Sequence, residues 1–153
     1  HLGVADLAAS LGMRTTAIGA LNPDYAGPGG ALDPWHFAVA RVIAAARAVG
    51  ARPIAGPYGD FRDTEGLEAS ARRDRALGAE GKMAIHPGQV AAINAAFSPG
   101  EAELSQARRI LAAMAEAQTA GRAAVALDGK LLDIASIRQA EGVIAKAERV
   151  ETG

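Results

Sequence analysis

The sequence predicts an α/β fold: a few short parallel strands alternating with helices, then a helical segment that carries a β-hairpin. Short apolar runs at residues 2–5, 53–56 and 83–85 each lead into polar residues and then a helical stretch. That order is the signature of parallel strands joined by right-handed crossovers. Farther on, Asp128-Gly129 stands between two short apolar runs, a strong hairpin signal, with helical periodicity on either side. At 153 residues, half of them hydrophobic (50%) and 22% charged, the chain has the composition of an ordinary globular protein. Three strand units are too few to close a (β/α)8 barrel, which takes about 250 residues.

Charge and composition narrow the function classes. A formal net charge of -1 leaves no cationic excess to hold nucleic acid. No apolar run approaches the ~20 residues of a membrane span, and no basic-then-apolar leader is present, so a cytoplasmic setting is expected. The absence of cysteine removes disulfides, thiolate nucleophiles and thiolate zinc sites. The 3 histidines, His1, His36 and His86, have no metalloprotease-like spacing, so any metal is expected on oxygen ligands. The chain begins at His1, inside a strand-like run, and is expected to be part of a longer protein.

In the stretch from Gly3 to Gly12 a short apolar run reaches Asp6, helix formers follow, and Gly12 can end the turn. Asp6 is thereby expected at the C-terminal tip of a strand, where open sheets and barrels keep their chemistry. On these residues alone, the first reading of the same carboxylate is as a cap for the turn that follows. Residues 19–34 hold Asn22-Pro23-Asp24-Tyr25 and Gly27-Pro28-Gly29-Gly30, turn signals that predict a long connection, either a lid or contact loop or a surface excursion. Asp33-Pro34 opens a helix whose apolar face is Trp35, Ala38, Val39, Val42, Ile43 and Ala46, ending near Gly50. After the second strand, polar groups crowd residues 57–63, and Asp63 or Thr64 can cap a helix that Gly78 stops. The third strand ends in His86-Pro87, and a helix is expected over 88–97.

Residues 98–153 change character. Ser98-Pro99-Gly100-Glu101 reads as a capping box for a helix running to about Thr119, with Leu104, Ala107, Leu111 and Met114 on one face. The Asp128-Gly129 hairpin follows, then a helix from Ile134 with Asp133 at its start, where position alone makes it a cap. Two domains are expected, 1–97 and 98–153.

Gly78-Ala79-Glu80-Gly81-Lys82 is not a phosphate loop, because its spacing is wrong and Met83 stands where Ser or Thr would hold magnesium. His86 is either an acid, base or ligand, or a hydrogen-bonded structural residue. Asp60, Arg62 and Asp63 either pair among themselves or meet substrate. With no Ser/His/Asp or Cys/His arrangement, nucleophilic catalysis is not expected.

Four elements in this order, Gly3-Val4-Ala5-Asp6-Leu7, Asp60-Phe61-Arg62-Asp63-Thr64-Glu65-Gly66-Leu67, Gly81-Lys82-Met83-Ala84-Ile85-His86-Pro87-Gly88-Gln89 and Gly129-Lys130-Leu131-Leu132-Asp133, cover nearly the whole chain. Together they resemble the C-terminal half of a CoA-ester lyase of the HpcH/HpaI aldolase and citrate lyase β-subunit family. The resemblance implies a TIM barrel, of which about strands 6 to 8 are present, with a helical C-terminal extension bearing a hairpin. It implies Mg2+ (or Mn2+) held in part by Asp6, and Asp133 as an acid/base delivered to a neighbouring subunit's site. Ala5, Leu7, His86 and Pro87 would contact the CoA substrate. A second magnesium carboxylate and a substrate-binding Arg would lie outside these residues. The implied reaction is carbon–carbon cleavage of malyl-CoA, β-methylmalyl-CoA or citramalyl-CoA, with CoA thioester and 2-oxoacid as substrates and a homo-oligomer, trimer or hexamer, as the assembly. Thioester hydrolysis on the same scaffold, or a non-catalytic half-barrel subunit, are the alternatives.

Overall fold

The computed structural model describes residues 1–15 and 17–151 and separates into two compact units, 1–97 and 98–153. The first unit runs α1 (Val4–Ser10), β1 (Asn22–Gly27), β2 (Gly30–Leu32), α2 (His36–Ala48), β3 (Ile54–Ala55), α3 (Thr64–Ala76), β4 (Gly81–Lys82), a 3-10 turn (Pro87–Gln89) and α4 (Val90–Phe97). Its centre is the parallel pair β3–β4, with Ile54 opposite Gly81 and Ala55 opposite Lys82. α3 makes the crossover between them. Its carboxylate cap is Asp63, which accepts from Gly66 N at 2.9 Å, and its C-terminal end carries Arg73 and Arg75, where cations complement the helix dipole.

Around this pair the apolar faces close one core: Trp35, Val39 and Ile43 at α2, Leu67 and Ala71 on α3, Ile93 and Phe97 on α4, with Ala55 and Tyr58 from β3 and its loop. The spacing of these residues at three and four is what turns each helix's stripe inward. Trp35 buries its ring and still satisfies its indole N–H, which donates to the Ala20 carbonyl at 3.2 Å.

The second unit is a helix, a hairpin and a helix: α5 (Glu101–Thr119), β5 (Val125–Leu127), β6 (Lys130–Leu132) and α6 (Ile134–Glu151). Leu104, Ala107, Met114 and Ala117 of α5, Leu132 of β6 and Ala140 of α6 are buried. The hairpin turns at Asp128 (φ 51°) and Gly129 (φ 75°), two consecutive left-handed residues as a type I′ turn requires. Arg109 on α5 holds that turn through Asp128 Oδ1 at 2.8 Å.

Several expectations are corrected. Residues 2–5 are not a strand, because Gly3 is the N-cap of α1 and the Val-Ala-Asp-Leu-Ala-Ala run that follows winds as helix. Asp6 therefore sits in the first turn of a helix, not on a strand tip. Residues 83–85 are likewise past the third strand, which pairs at 81–82; Met83 N to the Ala55 carbonyl, 3.0 Å, is the last rung. Within 19–34 the connection is a hairpin, β1–β2, turning at Pro28-Gly29. The helix after Asp33-Pro34 begins at His36; Asp33 accepts from Trp35 N at 2.9 Å, one turn earlier. The N-terminus of α5 is capped two residues later than the sequence suggested, with Gly100 as N-cap and its N–H donated to Glu103 Oε2. Among the described residues, no helix is long and apolar enough to cross a membrane.

Candidate functional site

The parallel pair fixes a direction: both β3 and β4 deliver their following loops, 56–63 and 83–89, to the same end of the sheet. Gly56, immediately after β3, lets the N-terminal stretch lie against this end. A Cβ there would stand 2.7 Å from the Leu2 carbonyl oxygen and 3.4 Å from Val4 Cγ1, so only glycine admits the contact. Val4 is buried in that contact, and Ala5 and Asp6 follow it directly, both exposed. Asp6 folds back over Gly3, where a Cβ would come within 2.8 Å of Asp6 Oδ2. Leu7 is half-buried, its N–H bonded to the Gly3 carbonyl at 2.9 Å.

The two post-strand loops present an exposed rim over buried anchors. Phe61 and His86 stack, ring centroids 4.7 Å apart and planes 18° from parallel. The Arg62 guanidinium lies over the other ring of this shelf, 5.7 Å from the Phe61 centroid. His86 Nδ1 accepts from Gly88 N at 3.0 Å, which puts the proton of a neutral ring on Nε2. Pro87 follows at the first position of the 3-10 turn, exposed like His86. Beneath the rim, Gln89 is 1% exposed. Its Oε1 accepts from Ile85 N and its Nε2 donates to the Tyr58 carbonyl, both at 2.9 Å.

Asp60, Arg62 and Asp63 do other work than pairing as a salt-bridged loop. Asp60 Oδ1 accepts from Arg62 N, while Asp63 caps α3 and receives the Tyr58 hydroxyl at 2.5 Å. Burial and then the Asp63 hydrogen bond push the Tyr58 phenol up to about 12, and the same bond, with Gly66 N, holds the Asp63 carboxyl below its usual range. Tyr58 is therefore held as a hydrogen-bond donor to Asp63. Phe61, Tyr58 and Gln89 carry no chemical signal of their own in the sequence; Phe61 and Gln89 enter it only as members of the stretches that carry the family resemblance.

Asp133 belongs to the second unit. It follows β6 and stands exposed at the start of α6, with Oδ1 accepting from Ala135 N at 2.9 Å and Ser136 N at 3.2 Å. One carboxylate oxygen thus serves as the cap that position alone suggested, which leaves Oδ2 outside those bonds. Among the described residues, no group of three or more His, Cys, Asp or Glu is assembled for a metal. Asp6 offers hard oxygen at an open position and so fits magnesium as one ligand, not as a whole shell.

A family model described as C-C_Bond_Lyase of the TIM-Barrel fold matches residues 37–149. The chain is 49% identical to an L-malyl-CoA/beta-methylmalyl-CoA lyase of Cereibacter sphaeroides over 97% of its own length and 48% of the relative's. It is 42% identical to a (3S)-malyl-CoA thioesterase of the same species over 71% of the chain and 38% of that protein. Among solved structures it resembles the CitE protein of Mycobacterium tuberculosis, crystallised with magnesium, acetoacetate and coenzyme A. The TM-score is 0.77 at 29% identity, covering 95% of this chain and 50% of that one. The chain spans about half the length of the curated relatives it matches.

Proposed function

Because the chain belongs to the carbon–carbon bond lyase family of the TIM-barrel fold, we propose that the protein containing it cleaves, or forms, a 3-hydroxyacyl-CoA. The substrates are malyl-CoA, β-methylmalyl-CoA or citramalyl-CoA; the products are acetyl-CoA or propionyl-CoA and a 2-oxoacid. What carries the proposal is the likeness to a malyl-CoA lyase over 97% of the chain. In this reading β3 and β4, with the non-helical residues 1–3 that lead into α1, belong to the last part of a barrel, about strands 6 to 8.

Asp6 would supply one oxygen ligand of Mg2+ or Mn2+, with a further carboxylate coming from outside these residues. When bound, magnesium supplies Lewis-acid polarisation of the 2-oxoacid oxygens. Ala5 and Leu7 flank this ligand, and His86 and Pro87 border the CoA ester from the post-β4 loop. In the cleavage direction the hydroxyl loses its proton, the carbon–carbon bond breaks toward the thioester, and the α-carbon of the resulting enolate takes a proton. Asp133 moves a proton in this sequence, acting in the site of a neighbouring subunit of a homo-oligomer. Its capped Oδ1 fixes the carboxylate's orientation and leaves Oδ2 for the transfer.

The likeness to a malyl-CoA thioesterase favours one second reading, in which water adds to the thioester carbonyl, the C–S bond breaks to release CoA thiol, and the carbon–carbon bond stays intact. Product analysis on the complete protein with malyl-CoA and Mg2+ separates them: acetyl-CoA and a 2-oxoacid from a lyase, free CoA and a hydroxyacid from a thioesterase. Neither product would leave a non-catalytic subunit.

A further inference from the structure

Gln89 stands out among the side chains of the first unit because it is polar, large and buried to 1% exposure. A primary carboxamide in such a place is unfavourable unless its groups are paired, and here one acceptor bond and one donor bond are made. The partners are what matter. Oε1 takes the Ile85 amide, next to His86 in the post-β4 loop, and Nε2 gives to the carbonyl of Tyr58, three residues before Phe61 in the post-β3 loop. Two backbone groups of irregular segments, with no strand partner of their own, are thus satisfied by one side chain. Phe61 and His86, one from each of the same two loops, stack on each other.

We propose that Gln89 is a positioning residue, whose carboxamide locks the 57–63 loop to the 83–88 loop and so holds His86 and Pro87 against the CoA ester. The inference rests on the CoA-ester reading above for its functional consequence; the lock itself rests on geometry alone. An apolar side chain of similar length would fill the space but leave the Ile85 N–H and the Tyr58 carbonyl unpaired. An ionised carboxylate would keep the Ile85 bond and lose the Tyr58 one, since it has no proton to donate, whereas the protonated acid would keep both. The two changes therefore release the two loops differently, which general destabilisation would not do.

The test uses the complete protein with Gln89→Met and Gln89→Glu, read by amide hydrogen exchange over 57–63 and 83–89 and by steady-state kinetics with malyl-CoA and Mg2+. Gln89→Met is expected to speed exchange in both loops; Gln89→Glu, read at a pH where the introduced carboxyl is ionised, in 57–63 while Ile85 stays protected. Both should raise KM for the thioester about tenfold with kcat within about threefold, the signature of lost binding interactions and not of lost chemistry. Wild-type exchange in both loops of Gln89→Met would overturn the lock, and so would identical exchange patterns in the two variants. An unchanged KM in folded variants with opened loops would overturn the positioning role. A wild-type protein inert toward every CoA ester would instead count against the proposed function, and the exchange result would still decide the lock.

Discussion

Lys82 Nζ lies 2.6 Å from Asp74 Oδ2, an ion pair between the C-terminal residue of β4 and α3 in which the lysine side chain is only 2% exposed. Burial pushes the Asp74 carboxyl up, against the pull of Lys82. The pair thus joins the second parallel strand to its crossover helix at a real desolvation cost, and each charge is tolerable only beside the other.

Lys82→Met in the complete protein should accordingly be severe, about 3–5 kcal/mol less stable, because it strands a buried carboxylate. Adding Asp74→Leu should restore most of that loss. Denaturant unfolding of the single and double variants checks it; equal stability for the two would mean the charges do not depend on each other.

Glu80 gives a pH dependence of known sign. Burial alone would raise its carboxyl, but the hydrogen bonds from Arg52 and Arg47 outweigh burial and hold it below the ordinary value. A carboxyl lowered in the folded state adds stability above its unfolded pKa and loses it as pH falls through the folded one. Glu80→Gln should cost about 0.5–1 kcal/mol at neutral pH, given the exposure of both arginines. The difference from wild type should close as pH falls below the usual carboxylate range of about 4. A gap that persists in acid would assign the loss to packing instead of charge.

How much of this was legible in the sequence depends on the length of each element. Helices were readable where several turns repeat an apolar stripe, as with Val39 and Ile43 or Leu104 and Met114, and where a side chain caps, as Asp63 does. The hairpin at Asp128-Gly129 was readable because its turn type demands those residues. The strands were not placed well: β3 and β4 are two residues each, too short for any alternation to mark, and a run such as 2–5 is equally compatible with helix once Gly3 provides the cap. Of the candidate residues, Asp6, His86 and Asp133 were legible as residue types that do chemistry. Gln89, Tyr58 and Phe61 were not, since what distinguishes them is burial and a partner far away in sequence.

Asp6→Ala in the complete protein should sharply weaken Mg2+ binding measured by calorimetry, because a site with two carboxylates loses half its formal ligand charge. The fold should hold, since Asp6 is exposed in the first turn of α1 and no side-chain cap is made at that N-terminus. Unchanged affinity would confine Asp6 to a favourable interaction with the helix dipole.

The central claim is that Asp6 and Asp133 serve one reaction from different subunits. Asp133→Asn should preserve the α6 cap, because the amide keeps an oxygen for Ala135 N and Ser136 N, yet lose most turnover since it cannot exchange the proton. The direct measurement mixes the two inactive complete proteins, Asp6→Ala and Asp133→Asn, in equal amounts under conditions of verified subunit exchange, and assays malyl-CoA cleavage. With sites shared between chains, random pairing puts both wild-type residues in about a quarter of sites, and activity should return to about that fraction. No recovery despite exchange would contradict the account.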